Sequence, residues 1–352
     1  MNKDQLFKRS LEVIKEGQHK SGGYVACPSF PTYNYCWFRD SSYISYAMDL
    51  AGEHGSSGAF HKWAVGNILK RETEISNFIN GISDNYQEVL HTRYTLTGEE
   101  GSEKWENFQL DSFGIWLWSL GEHLELSGKS CTDEMTRAVI LVSSYLAELW
   151  QISCYDCWEE NSDKHHIYTM ATIYRGLQSS EKLIGCTYSD LCSDIKKRMV
   201  TLGSRNGHLS KYEGSDAVDS SLLGVYFPAK VFDIHEPLME NTIMKIQRDL
   251  LRSGGLHRYQ LDTYYGGGIW PLLTAWLGIC LVDGGDVKQG EEILSWIISK
   301  ADDAGNLAEQ YTDSLNDHTY LPRWIEKWGQ SADPLLWSHA MYIILYYKLG
   351  NK

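Results

Sequence analysis

The chain has 352 residues, enough for a large core, and its 43% hydrophobic and 22% charged residues make an ordinary globular composition rather than a disordered one. A net charge of -14 argues against nucleic acid and anionic membrane as partners, and suits a neutral substrate. No run is long and apolar enough to span a membrane, and the opening MNKDQLFKRSLEVIKEG is a polar amphipathic segment without the apolar stretch of a secretory signal.

In chain order the apolar spacing predicts helix after helix. The expected segments are 3–16, 39–52, 57–80, 109–126, 134–152 and 166–178, then 182–201, 217–226, 236–251, 267–283, 288–300 and 334–349. Only Gly207–Tyr212 reads as a short strand. Twelve helices without strand alternation exclude a doubly wound sheet or a (β/α) barrel. A superhelical array or a closed (α/α)6 barrel remains, and the lack of a motif recurring at fixed period counts against the array. The expectation is an all-α fold, one (α/α)6 barrel over residues 1–352.

The unusual residues fall in a pattern. The 13 Trp and 22 Tyr recur in polar, Gly-bearing stretches, which suits stacking on flat ligands such as sugar rings. Aromatic and acidic clusters sit just before the even-numbered helices: Tyr33–Asp40, Trp105–Asp111, Trp158–Glu160, Lys211–Asp219, Leu256–Gly268 and the long stretch Asn306–Asp333. Connections into odd helices (Gly52–Ser56, Gly128–Thr132, Ser179–Glu181) are short and plain. Such alternation is expected if the even helices form an inner ring whose N-termini converge on one pocket; ordinary variable surface loops would be Ser-, Gly- and Lys-rich instead.

Within these clusters, Cys157-Trp158-Glu159-Glu160 offers the sharpest chemistry. A carboxyl beside an aromatic wall loses solvation and a neighbouring carboxylate adds repulsion; both raise its pKa and make a proton donor near neutral pH. Glu pairs also occur on solvated helix ends, where the dipole favours them. Arg39-Asp40 opens a helix after an aromatic run; Asp40 is an ordinary N-cap or, with Arg39, a fork for sugar hydroxyls. Asp111 and Asp219 carry the same two readings. Gly266-Gly267-Gly268 lacks the spacing of a phosphate loop and points to close backbone approach. Glu309 supplies a second carboxylate on the expected pocket face. The eight Cys are scattered, Cys154 and Cys157 form a lone Cys-x-x-Cys without a second ligand pair, and His165 and His166 are adjacent, a poor geometry for one metal. Reduced thiols in a cytoplasmic protein, with no metal and no cofactor, are expected.

Seven short motifs occur in order: Tyr35 to Asp40, Gln109-x-Asp111-x-x-Gly114, Trp158-Glu159-Glu160, Asp219-x-Ser221-Leu222-Leu223, Gly255-Leu256-His257-Arg258-Tyr259, Ala308-Glu309-Gln310 and Trp337-Ser338-His339-Ala340. Together they resemble the catalytic domain of glycoside hydrolase family 15, the glucoamylase family. The resemblance implies an (α/α)6 barrel and an inverting exo-hydrolase removing glucose from the non-reducing end of α-glucosides. It implies Glu159 as general acid and Glu309 as general base, on opposite sides of the ring with room for a water. Arg39 and Asp40 then hold the terminal glucose, while Trp158, Glu160 and Arg258 bind near the cleavage point. Tyr35, Trp37, Trp105, Asp111, Asp262 and Trp324 complete the candidate sugar-binding set.

Two departures from the family pattern shape the expected substrate. The chain opens almost directly on the first barrel helix, without the β-sandwich domain of bacterial and archaeal relatives, and shows no starch-binding module. Residues 316–331, with Tyr320, Trp324 and Trp328, read as an inserted lid over the leaving-group side. Short oligosaccharides are therefore expected, isomaltose-type α-1,6 slightly ahead of maltose-type α-1,4, with oligomeric state left open. The alternatives are another α/α-toroid sugar enzyme (a trehalase, or a uronate-acting hydrolase or lyase) or a sugar-binding protein without catalysis.

Overall fold

A computed structural model describes residues 1–351. Among these residues there are thirteen α-helices: α1 (Lys3–Glu16), α2 (Phe38–Leu50), α3 (His54–Lys70), α4 (Glu72–Ile79), α5 (Asp111–Ser127), α6 (Asp133–Leu149) and α7 (Ile167–Ile184), then α8 (Ser189–Thr201), α9 (Pro237–Leu250), α10 (Pro271–Asp283), α11 (Val287–Lys300), α12 (Leu321–Trp328) and α13 (Leu336–Lys348). The inner ring closes on itself. α2 packs on α5, α5 on α7, α7 on a 3-10 turn at Ser220–Val225, that turn on α10, α10 on α13, and α13 back on α2. α1, α3, α6, α8, α9 and α11 pack outside it. The fold is the expected (α/α)6 barrel, and the even-numbered segments are the inner ones.

Sequence chemistry separates the two rings. α10 is buried at every residue from Pro271 to Cys280, as an apolar helix surrounded on all sides must be. α1 buries only Leu6, Ser10, Val13 and Ile14, one stripe at helical spacing, and starts in a capping box in which Asn2 and Gln5 satisfy each other's backbone N–H. The inner helices α5 and α7 cross closely because two glycines meet. A Cβ on Gly114 would lie 2.4 Å from the Thr172 carbonyl oxygen, and one on Gly176 would lie 2.8 Å from the Gly114 backbone.

Several boundaries differ from expectation, each for a local reason. Residues 57–80 break at Arg71, whose N–H turns back to the Ile68 carbonyl, leaving α3 and α4. α7 runs on through 179–181, where Ser180 bonds within the helix to the Gly176 carbonyl, and stops at Gly185 (φ 69), a left-handed cap that only glycine takes at no cost. The expected helix 217–226 contracts to the 3-10 turn 220–225, since Pro228 disfavours helical backbone at the residue before it. The expected strand at Gly207–Tyr212 is a hairpin instead. Ser204–Arg205 pairs with His208–Leu209 around Asn206 (φ 51) and Gly207 (φ 79), the Asn-Gly turn that suits strand twist. Residues 316–331 contain helix α12, which buries none of its residues and packs on the turn Tyr264–Gly266.

Candidate active site

The N-terminal ends of the inner helices open on a pocket of about 370 Å³, at the lower end of the range for small-molecule sites (roughly 300–1,000 Å³). Trp37, Arg39, Asp40, Trp105, Trp158, Glu159, Glu160, Arg258, Glu309 and Trp324, all expected from sequence, line it.

Arg39 sits in the first turn of α2, buried at the pocket floor. Its guanidinium donates to Gln109 Oε1 at 2.7 Å and to Asp111 Oδ2 at 3.1 Å, which fixes the charge and aims the remaining N–H groups. Asp40 beside it keeps Oδ1 buried with no hydrogen-bond partner. Burial pushes its carboxyl up to about 7, against the pull of Arg39. Gln109 joins the floor to the next group: its oxygen accepts from Arg39 and its Nε2 donates to Glu159 at 3.2 Å.

Glu159 lies on a tight turn between α6 and α7. Asp156 closes this turn, its Oδ1 accepting the N–H groups of Trp158 and Glu160, each at 2.9 Å. Glu159 itself has φ 67 and Asn161 φ 54. Left-handed backbone at a non-glycine residue costs on the order of 1–3 kcal/mol and persists only where the surroundings over-determine it. The Glu159 carboxylate accepts from Trp37 Nε1 at 2.9 Å as well as from Gln109. Neighbour-by-neighbour reading of the sequence could not supply these two N–H donors, since they come from 122 and 50 positions away. Glu160 accepts from Arg258 at 3.4 Å and from the Tyr259 hydroxyl. Burial raises its pKa, and Arg258 and Lys211 oppose the rise.

Glu309 is 3% exposed and reaches the pocket from the segment before α13. Its backbone N–H donates to the Ala332 carbonyl at 2.8 Å. The Tyr33 hydroxyl donates to its Oε1 at 3.0 Å and the Ser331 hydroxyl to its Oε2 at 3.3 Å. Tyr264 shares a hydrogen bond of 2.9 Å with Tyr33. Burial pushes the Glu309 carboxyl up to about 7, and the Tyr33 hydroxyl is foremost among the groups that hold it down. The glycine triplet lets this segment approach closely. Gly268 N–H donates to Gln310 Oε1 at 3.0 Å, and a Cβ there would lie 2.5 Å from the Tyr311 carbonyl oxygen.

Three expected sugar binders stand behind the wall. Asp111 is fully buried under Arg39. Asp262 forks to Arg258, accepting at 2.7 Å from Nε. Tyr35 packs under the Arg93 guanidinium, 4.1 Å from its centroid, and Trp105 packs against the same guanidinium at 3.6 Å. Sequence reasoning in turn left out Tyr33, Tyr264, Trp270, Lys327 and Trp337, which line the pocket, and Ser331. Trp337 lies inside one of the seven motifs, Tyr33 and Tyr264 inside marked aromatic clusters, and Ser331 at the end of the expected lid, where nothing in its own residue type singled it out.

His166 Nε2 bonds the Asn161 carbonyl. Among the described residues, Asp49, His61 and His123 bring possible ligand atoms within 4.8 Å of one another. The Ser57 hydroxyl lies 2.9 Å from His123 Nδ1 and donates to Asp49, and Ser45 bonds both Ser57 and His61, so the cluster is a side-chain hydrogen-bond network. All eight cysteines are free, and no helix among the described residues is long and apolar enough to cross a membrane.

The family model for glycosyl hydrolases family 15 matches residues 3–318. The chain belongs to glycoside hydrolase family 15. It is thus a glycoside hydrolase, an enzyme that acts on oligosaccharides. Isomaltose glucohydrolase of Kribbella flavida is 35% identical over 359 residues, covering 98% of this chain and 93% of that protein. A solved wild-type glycosidase superposes with a TM-score of 0.93 at 33% identity, over 98% of this chain and 96% of its own; a variant described as in complex with glucose superposes equally well. A bacterial glucoamylase complexed with acarbose, 18% identical with a TM-score of 0.74, covers 99% of this chain and 56% of its own and shows the shared barrel.

Proposed function

We propose that this family 15 enzyme is an inverting, exo-acting hydrolase that releases β-glucose from the non-reducing end of short α-glucosides, with α-1,6-linked isomaltose ahead of α-1,4-linked maltose. The observation that carries the substrate is the 35% identity, along nearly the full length of both chains, to a protein named for hydrolysing isomaltose. A small pocket bordered by α12 fits a disaccharide better than a long chain.

In this reading Arg39 and Asp40 bind the hydroxyls of the terminal glucose. Its scissile oxygen takes a proton from Glu159, while Glu309 removes a proton from water attacking the opposite face. The reaction starts with the proton on Glu159 and with Glu309 ionised. Glu160 and Arg258 meet the sugar near the broken bond. Trp324, Lys327 and Trp328 border the leaving-group side, and a rigid aromatic wall there limits the rotational freedom of the α-1,6 linkage.

Incubation with isomaltose, maltose, nigerose and trehalose, followed by NMR of the fresh product, tests this. The expected result is β-glucose, formed with the highest kcat/KM from isomaltose. Release of α-glucose would overturn inversion, and trehalose as the best substrate would make the enzyme a trehalase.

A further inference from the structure

We infer that Lys211 is a positioning residue for proton donation, holding the turn that presents Glu159 through the carboxylates of Asp156 and Asp219. The inference rests on Glu159 being the acid.

Lys211 is 7% exposed and is not among the residues lining the pocket. Its ammonium lies 2.8 Å from Asp219 Oδ2, 3.4 Å from Asp156 Oδ2 and 3.5 Å from the centroid of the Tyr259 ring. All three partners act on the acid turn. Asp156 accepts the backbone N–H groups of Trp158 and Glu160. Asp219 accepts the Trp158 indole N–H with both oxygens, at 3.1 and 3.0 Å. Tyr259 donates to the Glu160 carboxylate. One buried cation thus ends, by three routes, on residues 158–160.

The arrangement needs that cation. Asp156 and Asp219 are 4% and 0% exposed, and two buried carboxylates this close stay charged only beside a positive group. The turn in turn needs both carboxylates, because Glu159 sits at φ 67 and relaxes toward ordinary backbone once the turn loosens. Its carboxyl would then leave Trp37 Nε1 and Gln109 Nε2, and a displacement of about 1 Å in a reacting group costs roughly a hundredfold in rate.

The test compares a leaving group that needs a proton with one that does not. In Lys211→Met, kcat for isomaltose is expected to fall roughly a hundredfold. On α-glucosyl fluoride, which departs without protonation, the loss should stay under about tenfold, with KM for isomaltose nearly unchanged. Equal loss on both substrates, or no loss, overturns the inference. Glu159→Gln, measured in parallel, separates the two levels of the argument. If it shows no difference between the substrates, the acid assignment fails and the role of Lys211 with it; if it does and Lys211→Met does not, only Lys211 is misassigned. Should Lys211→Met fail to fold by circular dichroism, Asp219→Asn serves. It keeps an oxygen for the Trp158 indole while breaking the ion pair, and the same substrate split, smaller in size, is expected; an unsplit loss overturns the inference.

Discussion

The floor and the rim of the pocket are built on opposite principles. At the floor, Arg39 and Asp40 belong to the first turn of α2, where every residue from Phe38 to Ser45 is buried and Arg39 is tied to Gln109 and Asp111. At the rim, α12 has no buried residue, and Trp328 is 38% exposed. The floor cannot change without leaving buried charge unpaired, which is strongly destabilising. The rim rests on the turn Tyr264–Gly266 through Trp324, which lies 4.9 Å from the Tyr264 ring and donates to the Thr263 carbonyl at 2.9 Å. On the proposed reading, recognition of the terminal sugar is therefore locked into the barrel, while the leaving-group side can vary without refolding it.

The sharpest break between the two regions is expected at Glu159, the proposed acid. Glu159→Gln should lower kcat for a disaccharide by roughly 10²- to 10⁴-fold, the range for general acid catalysis, with α-glucosyl fluoride affected far less. Near-wild-type turnover of isomaltose would remove Glu159 from the mechanism. At the floor itself, Asp40→Asn removes the carboxylate proposed to accept from sugar hydroxyls. Hydrogen bonds to charged groups are worth about 1.5–3 kcal/mol, so kcat/KM should drop roughly ten- to a hundredfold on every α-glucoside, irrespective of linkage. A loss confined to one linkage would place Asp40 on the leaving-group side.

A smaller, pH-dependent effect is expected at the base. As the proposed base, Glu309 must be ionised to accept a proton from water, and its carboxyl is pushed up to about 7, so kcat/KM should rise with pH through neutrality. The Tyr33 hydroxyl stabilises the ionised form; Tyr33→Phe should move that limb to higher pH. A limb that stays put or moves down would disconnect Tyr33 from the base. The smallest effect belongs to the rim. Trp324→Ala should raise KM for isomaltose by a few-fold, consistent with about 0.5–1.5 kcal/mol for an aromatic contact, and should relax the preference for short chains. Measured kcat/KM for isomaltose and a longer isomaltooligosaccharide would show it; a wild-type enzyme that clearly prefers the longer chain would mean that α12 extends the site rather than closing it.

What the sequence determined by itself was the periodic and the local. Helical spacing of apolar residues marked the six inner segments, and their aromatic and acidic entrances marked the pocket end, because an inner helix is covered by its neighbours along most of its length and meets a ligand at its start. Motifs such as Trp158-Glu159-Glu160 and Ala308-Glu309-Gln310 were legible because each is contiguous. Tertiary structure alone decided which side chains meet. Tyr33 and Ser331 reach Glu309 from 276 and 22 positions away, and Trp37 reaches Glu159 from 122. It also decided that Asp111 and Asp262 would pair with Arg39 and Arg258 behind the wall instead of lining the pocket. A carboxylate's character is set by the donors, charges and exclusion of water around it, and in a closed ring of helices those arrive from all round the barrel.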